Sequence, residues 1–262
     1  MEFTHLQFNL SDDGVATITL NRPEARNAIN MAMRHDFKTL GERLATDDRI
    51  KVVIFTGAGD EAFSAGGDIG HFEQEWLTPE FRAHGHLLTD FFNLLETVEK
   101  PVIAALNGVA TGAGLQLAMS SDLRIASQQA RFGFKENFLN LIPGHGGTVR
   151  LVRLIGLAKA KELIFMGDFI DARQVQPIGL VHQVVPHAGL LAETQAVAQK
   201  LLRRAPQSLG LVKRLLLAAT DTHKESVLLL ESLAQSILIK TEDHQEGLQA
   251  FREKRKPNFE GR

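Results

Sequence analysis

Two glycine-rich segments and one carboxylate have the residue types and spacing to do chemistry. Phe63-Ser64-Ala65-Gly66-Gly67-Asp68 is made mostly of small residues. Such residues let a backbone approach a ligand closely and reach unusual dihedrals, and N–H groups exposed in such a turn can donate to an oxyanion. Taken alone, the segment reads first as a plain loop in which Asp68 caps the next helix. Asn107-Gly108-Val109-Ala110-Thr111-Gly112-Ala113-Gly114 lies between a continuous apolar run and a helical pattern. A helix start there offers unpaired N–H groups and a positive dipole end, which suits negative charge on oxygen. A tight strand-to-helix packing turn is the competing reading.

Gln116 follows Ala113 by three residues and shares its helix face. Its side chain therefore stands next to anything the Ala113 N–H holds, although an amide on an amphipathic helix needs no such role. Glu136 sits among Phe132, Phe134, Phe138 and Leu139. Burial there raises a carboxylate's pKa, which suits proton transfer near neutral pH; pairing with Lys135 or exposure to solvent is the plainer alternative. The glycines of Ile142-Pro143-Gly144-His145-Gly146-Gly147-Thr148 suggest another close approach of backbone to ligand. His145 is of the type that titrates near neutrality, and a lone loop histidine is commonly just exposed.

These segments need elements to hold them. Leu6, Phe8 and Leu10, then Ala16, Ile18 and Leu20, alternate around Asp12-Asp13-Gly14 and predict a hairpin. Met33, Phe37, Leu40 and Leu44 recur at helical spacing, as do Leu88, Phe91, Leu95 and Val98. Val52–Phe55 and Val102–Leu106 are continuous apolar runs that suit buried strands. A helix starting near Leu115 and strands at Leu123–Ala126 and Ala130–Phe134 follow. Strands alternating with helices predict an α/β fold. After about Pro186 the runs Leu190–Arg204, Gln207–Ala219 and Glu225–Lys240 read as helices, with no strand candidate among them. No internal repeat or low-complexity segment is present.

The bulk numbers exclude several classes. The chain's 262 residues suffice for a large core without staples. Lys and Arg total 29 against 31 Asp and Glu, a balance that argues against a general nucleic-acid or anionic-membrane surface. With no cysteine there is no disulfide, thiolate zinc site or cysteine nucleophile, and with no tyrosine there is no tyrosine proton donor. His84 and His86 lack a metal-site partner pattern, so no metal is expected. GxGxxG, GxSxG and GxxxxGK[ST] motifs are absent. Met1-Glu2-Phe3-Thr4-His5 carries no secretory pattern, and no run approaches the roughly 18 apolar residues of a membrane span. The expected location is cytoplasmic.

In order and spacing, the segments together resemble the enoyl-CoA hydratase/isomerase (crotonase) family along nearly the whole chain. Asn21-Arg22-Pro23 with Asn27-Ala28, Phe63–Ile69, Asn107–Asp122, Phe132–Thr148, Gly167-Asp168, Gly179-Leu180-Val181 and Glu246–Pro257 carry the resemblance. It implies an α/β fold: a crotonase-like spiral of ββα turns over residues 1–190 holding an acyl-CoA site. A C-terminal helical region over 191–262 would mediate trimers or hexamers. It implies a role in fatty acid metabolism, with coenzyme A present as part of the thioester substrate and not as a resident cofactor. The Gly67 and Ala113 amides would form the oxyanion hole and Glu136 would be the acid/base. Ala65, Gly67, Asp68, Ile69 and Gly70 would line the adenine and pantetheine path, and Arg26 would approach the phosphates, as would Lys254 from the same or a neighbouring chain. Pocket walls are expected from Phe72–Phe92 and the C-terminal helices.

One position departs from the family pattern. Family hydratases typically hold one water with two glutamates, and Gln116 stands where the first would be. An amide orients water but accepts no proton at neutral pH. Double-bond isomerisation, which needs one glutamate, is therefore expected over hydration. A non-catalytic CoA-binding oligomer, or a hydrolase or lyase assisted by His145, are the alternatives.

Overall fold

The computed structural model describes residues 3–262, so Met1 and Glu2 of the N-terminal stretch lie outside it. β1 (Leu6–Leu10) and β2 (Val15–Leu20) form the expected antiparallel hairpin, with Leu6 opposite Leu20. α1 (Met31–Thr46) follows, its first turn closed by Asn30, whose side chain accepts the Met33 N–H at 2.9 Å. The chain then repeats strand, strand, helix. β3 (Val52–Gly57) and β4 (Ala62–Ser64) lead to α2 (Ile69–Phe72) and α3 (Thr78–Thr97). β5 (Val102–Leu106) and β6 (Val109–Thr111) lead to α4 (Gly112–Met119). β7 (Leu123–Ser127) and β8 (Arg131–Gly133) lead to α5 (Gly147–Met166), which breaks at Gly156. β9 (Ile170–Asp171), α6 (Ala172–Val175) and β10 (Gln183–Val185) close the series.

The first strand of each turn joins a six-stranded sheet ordered β1-β2-β3-β5-β7-β10, parallel from β2 onward. The second strand joins a smaller sheet ordered β4-β6-β8-β9, in which β4, β6 and β8 run parallel. The spiral of ββα turns is thus present. Every residue of β3 and β5 is buried, as a parallel sheet covered on both faces requires. One face meets α1 and α3 through Phe37, Phe55 and Phe91, with Phe37 stacked on Phe91 at 4.6 Å. The other is covered by α7 (Leu190–Leu202) through Leu190 and Ala198.

α8 (Pro206–Ala219), α9 (Lys224–Leu238) and α10 (Glu242–Glu253) complete the chain. α7 to α9 fall on the predicted runs, whereas α10 lies beyond them. Among the described residues no strand follows β10, and no helix is long and apolar enough to cross a membrane. The strands that patterning missed, β4, β6, β9 and β10, have two or three residues each, too few for alternation to register. The second glycine segment is accordingly more than a turn: it holds β6, and its helix begins at Gly112, before Leu115.

Candidate active site

β4, β6 and β8 are neighbours in the small sheet and point the same way. Their C-terminal ends deliver, side by side, Ala65–Gly67, Gly112–Gly114 and Glu136. The first two abut so closely that only glycine fits at the contact. Gly66 has φ +93°, and a Cβ there would stand 2.8 Å from the Thr111 carbonyl oxygen. Gly112 has φ +51°, and its added Cβ would meet Glu136 Oε1 at 3.4 Å.

The amides flanking Gly67 are engaged. Gly66 N–H donates to Ser64 Oγ at 3.2 Å and Asp68 N–H donates to the Ile29 carbonyl at 3.1 Å. Among the described residues the Gly67 N–H between them has no backbone partner. Ala113 is the second residue of α4, where helix N–H groups lack intrahelical acceptors. The N-cap Thr111 does not fill that role, because its hydroxyl donates to the Gly133 carbonyl at 2.8 Å. Gly67, Ala113, Gln116 and Glu136 line one cavity of about 370 Å³. Two main-chain donors beside a carboxylate can stabilise an enolate oxygen while a proton moves.

Glu136 opens a short 3-10 turn after β8, and Gln116 is 1% exposed on α4. Gln116 Nε2 donates to Glu136 Oε1 at 3.3 Å. An ionised carboxylate has no proton to give, so the amide must turn its nitrogen toward it. The other two oxygens, Gln116 Oε1 and Glu136 Oε2, are buried without a donor. Burial pushes the Glu136 carboxyl above its ordinary range, and the Gln116 bond offsets this only in part. The plainer reading of Glu136 fails, since Lys135 Nζ turns instead to the Gly167 carbonyl and lies 4.4 Å from the Phe169 ring centroid.

The remaining expected residues are scattered more widely. Ala65 and Gly144 line the cavity. Asp68 caps α2 by accepting the Gly70 N–H at 3.1 Å and pairs with Arg22 at 2.7 Å, which holds its carboxyl low. Ile69 opens α2 and is exposed. Arg26 is exposed and pairs with Glu61 at 3.0 Å, while its carbonyl accepts the Ala65 N–H. Lys254 ends α10, exposed and outside the cavity wall.

Two expectations are corrected. His145 is neither exposed nor near neutrality: it is half-buried, its Nδ1 lies 3.1 Å from Thr89 Oγ1, and burial with the Arg34 charge nearby lowers its pKa to about 4. Among the described residues of the single chain, the C-terminal helices contribute nothing to the cavity wall; Phe72, Phe81 and Gly85 do, joined by Leu139, Leu141 and Ile142. Arg34 and His71 also line the cavity and were not anticipated. The signal for Arg34 was a charge three residues before Phe37, on the apolar side of α1.

The site can now be set beside known proteins. The enoyl-CoA hydratase/isomerase family model matches residues 11–262. A short-chain-enoyl-CoA hydratase of Clostridium acetobutylicum is 41% identical over 92% of each chain. A crotonyl-CoA hydratase of Syntrophomonas wolfei is 39% identical over 95% of each. The crystal structure of an enoyl-CoA hydratase from Bacillus anthracis matches with a TM-score of 0.94 at 34% identity, covering 99% of this chain and 100% of that one. This chain belongs to the enoyl-CoA hydratase/isomerase family, as an enzyme acting on acyl-CoA.

Proposed function

We propose that the reaction is migration of a double bond in an enoyl-CoA thioester, driven by Glu136 as the single acid/base. The observation that carries it is the Gln116–Glu136 pair: one carboxylate lines the cavity, and an amide occupies the neighbouring position. The thioester oxygen lies between the Gly67 and Ala113 N–H groups. Glu136 takes a proton from the α-carbon, and the electron pair moves onto the thioester oxygen as a dienolate. The same proton returns at the γ-carbon, so the double bond shifts and no water is consumed. The raised Glu136 pKa suits both halves of that transfer.

Hydration is the second reading, and a specific observation favours it. Gln116 Oε1 and Glu136 Oε2 are both buried acceptors lacking donors. One water donating to each would satisfy both and stand ready to attack the β-carbon. The relatives from Clostridium acetobutylicum and Syntrophomonas wolfei carry hydratase names.

The CoA path belongs to the same proposal, running past Ala65–Gly70 with Arg26 and Lys254 at the phosphates. So does a homotrimer or hexamer, supported by Leu228, Leu229, Leu233 and Ile237, which leave α9 exposed and apolar in the single chain. A paired assay of 3-enoyl-CoA isomerisation and 2-enoyl-CoA hydration tests the chemistry. Isomerisation should dominate and vanish in Glu136→Gln. Hydration that dominates and survives that substitution overturns the mechanism.

A further inference from the structure

Arg34 is 2% exposed and lines the same cavity as Glu136. Its Nη1 donates to the His84 carbonyl at 3.2 Å, and its Nε has no partner. Among the described residues no carboxylate pairs with it. The nearby acids are engaged elsewhere. Asp36, two residues on, accepts the Thr4 and His5 N–H groups at 3.1 and 2.7 Å. Asp68 holds Arg22, and Glu136 accepts from Gln116.

Burial lowers the Arg34 pKa only to about 10, so the guanidinium is charged at neutral pH. A buried charge without a counter-charge is strongly unfavourable, and native proteins pair such groups. A structural brace to the His84 carbonyl needs only a neutral donor and leaves the orphaned Nε unexplained.

Two neutral histidines stand beside it. His71 is 5% exposed with an unpartnered Nδ1, and it lines the cavity together with His145. Apart from these groups and the reacting end, the wall is largely apolar, with Phe72, Phe81, Leu141 and Ile142. The cavity is thus an apolar sleeve with the charged Arg34 guanidinium buried in its wall. Arg34 makes no ion pair with Glu136, so its charge is left for a group that enters the cavity.

We infer that the acyl group carries a carboxylate at its far end, received by Arg34 while the thioester carbonyl lies at Gly67 and Ala113. This rests on the acyl-CoA reading above and narrows it to acyl chains with an anionic terminus. A planar guanidinium matches a carboxylate with two parallel hydrogen bonds, and the apolar sleeve covers the methylene carbons between the two ends.

The test uses the full-length protein and unreactive ligands of matched length: glutaryl-CoA against pentanoyl-CoA, and adipyl-CoA against hexanoyl-CoA, by titration calorimetry. The carboxylated member of each pair should bind on the order of 30-fold tighter or more. That preference should collapse in Arg34→Gln and survive in part in Arg34→Lys. Equal binding of both members by the unaltered protein, or a preference that persists in Arg34→Gln, overturns the inference. A purely bracing role for Arg34 would change the melting temperature and leave the ratio alone. If Arg34→Gln fails to fold, the ligand comparison on the unaltered protein decides by itself. A parallel turnover assay, on glutaconyl-CoA and 2-pentenoyl-CoA, separates the two readings. Arg34-dependent preference with no turnover of either supports the carboxylate site and overturns the catalytic reading. Turnover of 2-pentenoyl-CoA with no carboxylate preference overturns the carboxylate site alone.

Discussion

On one side of the cavity, Gly67, Ala113 and Glu136 follow three neighbouring parallel strands; on the other, Arg34, His71 and His145 come from α1, α2 and a loop. The first side is held by ladder hydrogen bonds and presents main-chain N–H groups, which no substitution except proline removes directly. The second presents side chains, two of which, Arg34 and His71, have an unpartnered polar atom. The difference separates two tasks. In the proposed reaction, holding the reacting carbonyl falls to the backbone and choosing the acyl group to side chains.

Substitutions can break this division, and the largest effect is expected at Glu136, the carboxylate on the strand-end side. Glu136→Gln should lower turnover on the order of a hundredfold to ten-thousandfold, with acyl-CoA binding retained in calorimetry. The carboxyl must be ionised to take a proton, and its pKa is raised. In the unaltered enzyme kcat/KM should therefore climb with pH through an inflection above the ordinary glutamate range, and the variant should show none.

Next comes the backbone itself. Gly66→Ala places a Cβ 2.8 Å from the Thr111 carbonyl oxygen at a positive φ. Moving one oxyanion donor costs about a hundredfold in rate, so steady-state kinetics should show a loss of that order with a lower melting temperature. Gly189→Ala, where the added Cβ meets nothing within 4 Å, should show neither.

Gln116→Glu sharpens the division at its border, because residue 116 stands on α4 against Glu136. A second carboxylate should raise hydration relative to isomerisation roughly tenfold, about 1.4 kcal/mol in relative barrier. An unchanged product ratio would remove Gln116 from the choice of reaction.

The last expected effect falls on stability and not on turnover. His71 and His145 are neutral in the folded protein because burial, with Arg34 next in importance, lowers each from 6.5 to about 4. Between those values the unfolded chain binds more protons than the folded one. Stability should therefore be fully present above pH 6.5 and fall as pH drops toward 4. Urea unfolding across that range should reveal the slope, and His145→Gln should make it shallower.

The strand-end side was legible in the sequence and the helix side was not. Gly66 and Gly112 adopt backbone conformations that few other residues tolerate, so the structural demand shows as residue type. Hairpin alternation and the buried β3 and β5 runs revealed the large sheet. β4 and β6, three residues each, left no pattern even though they carry the site. Arg34 was overlooked: it is a charge on the apolar side of α1, but its place in a cavity with residues 81, 85 and 145 depends on α3 packing against α1. His145 was misread for the same reason: residue type suggests titration near neutrality, and tertiary burial beside Arg34 removes it.

The bridge between Ile29 and Gly67 links the two sides. Ile29 donates to the Gly66 carbonyl and accepts from Asp68, and α1 begins two residues later with Arg34 in its first turn. Mechanically, Arg34 sits on a short rigid arm whose root is fastened to the oxyanion strand. In the proposed complex, a pull on that arm from the distal end of the substrate would reach the Gly67 amide proposed to hold the carbonyl. Loss of the distal contact should then appear in kcat as well as KM, because remote attachment sets the alignment of the reacting atoms.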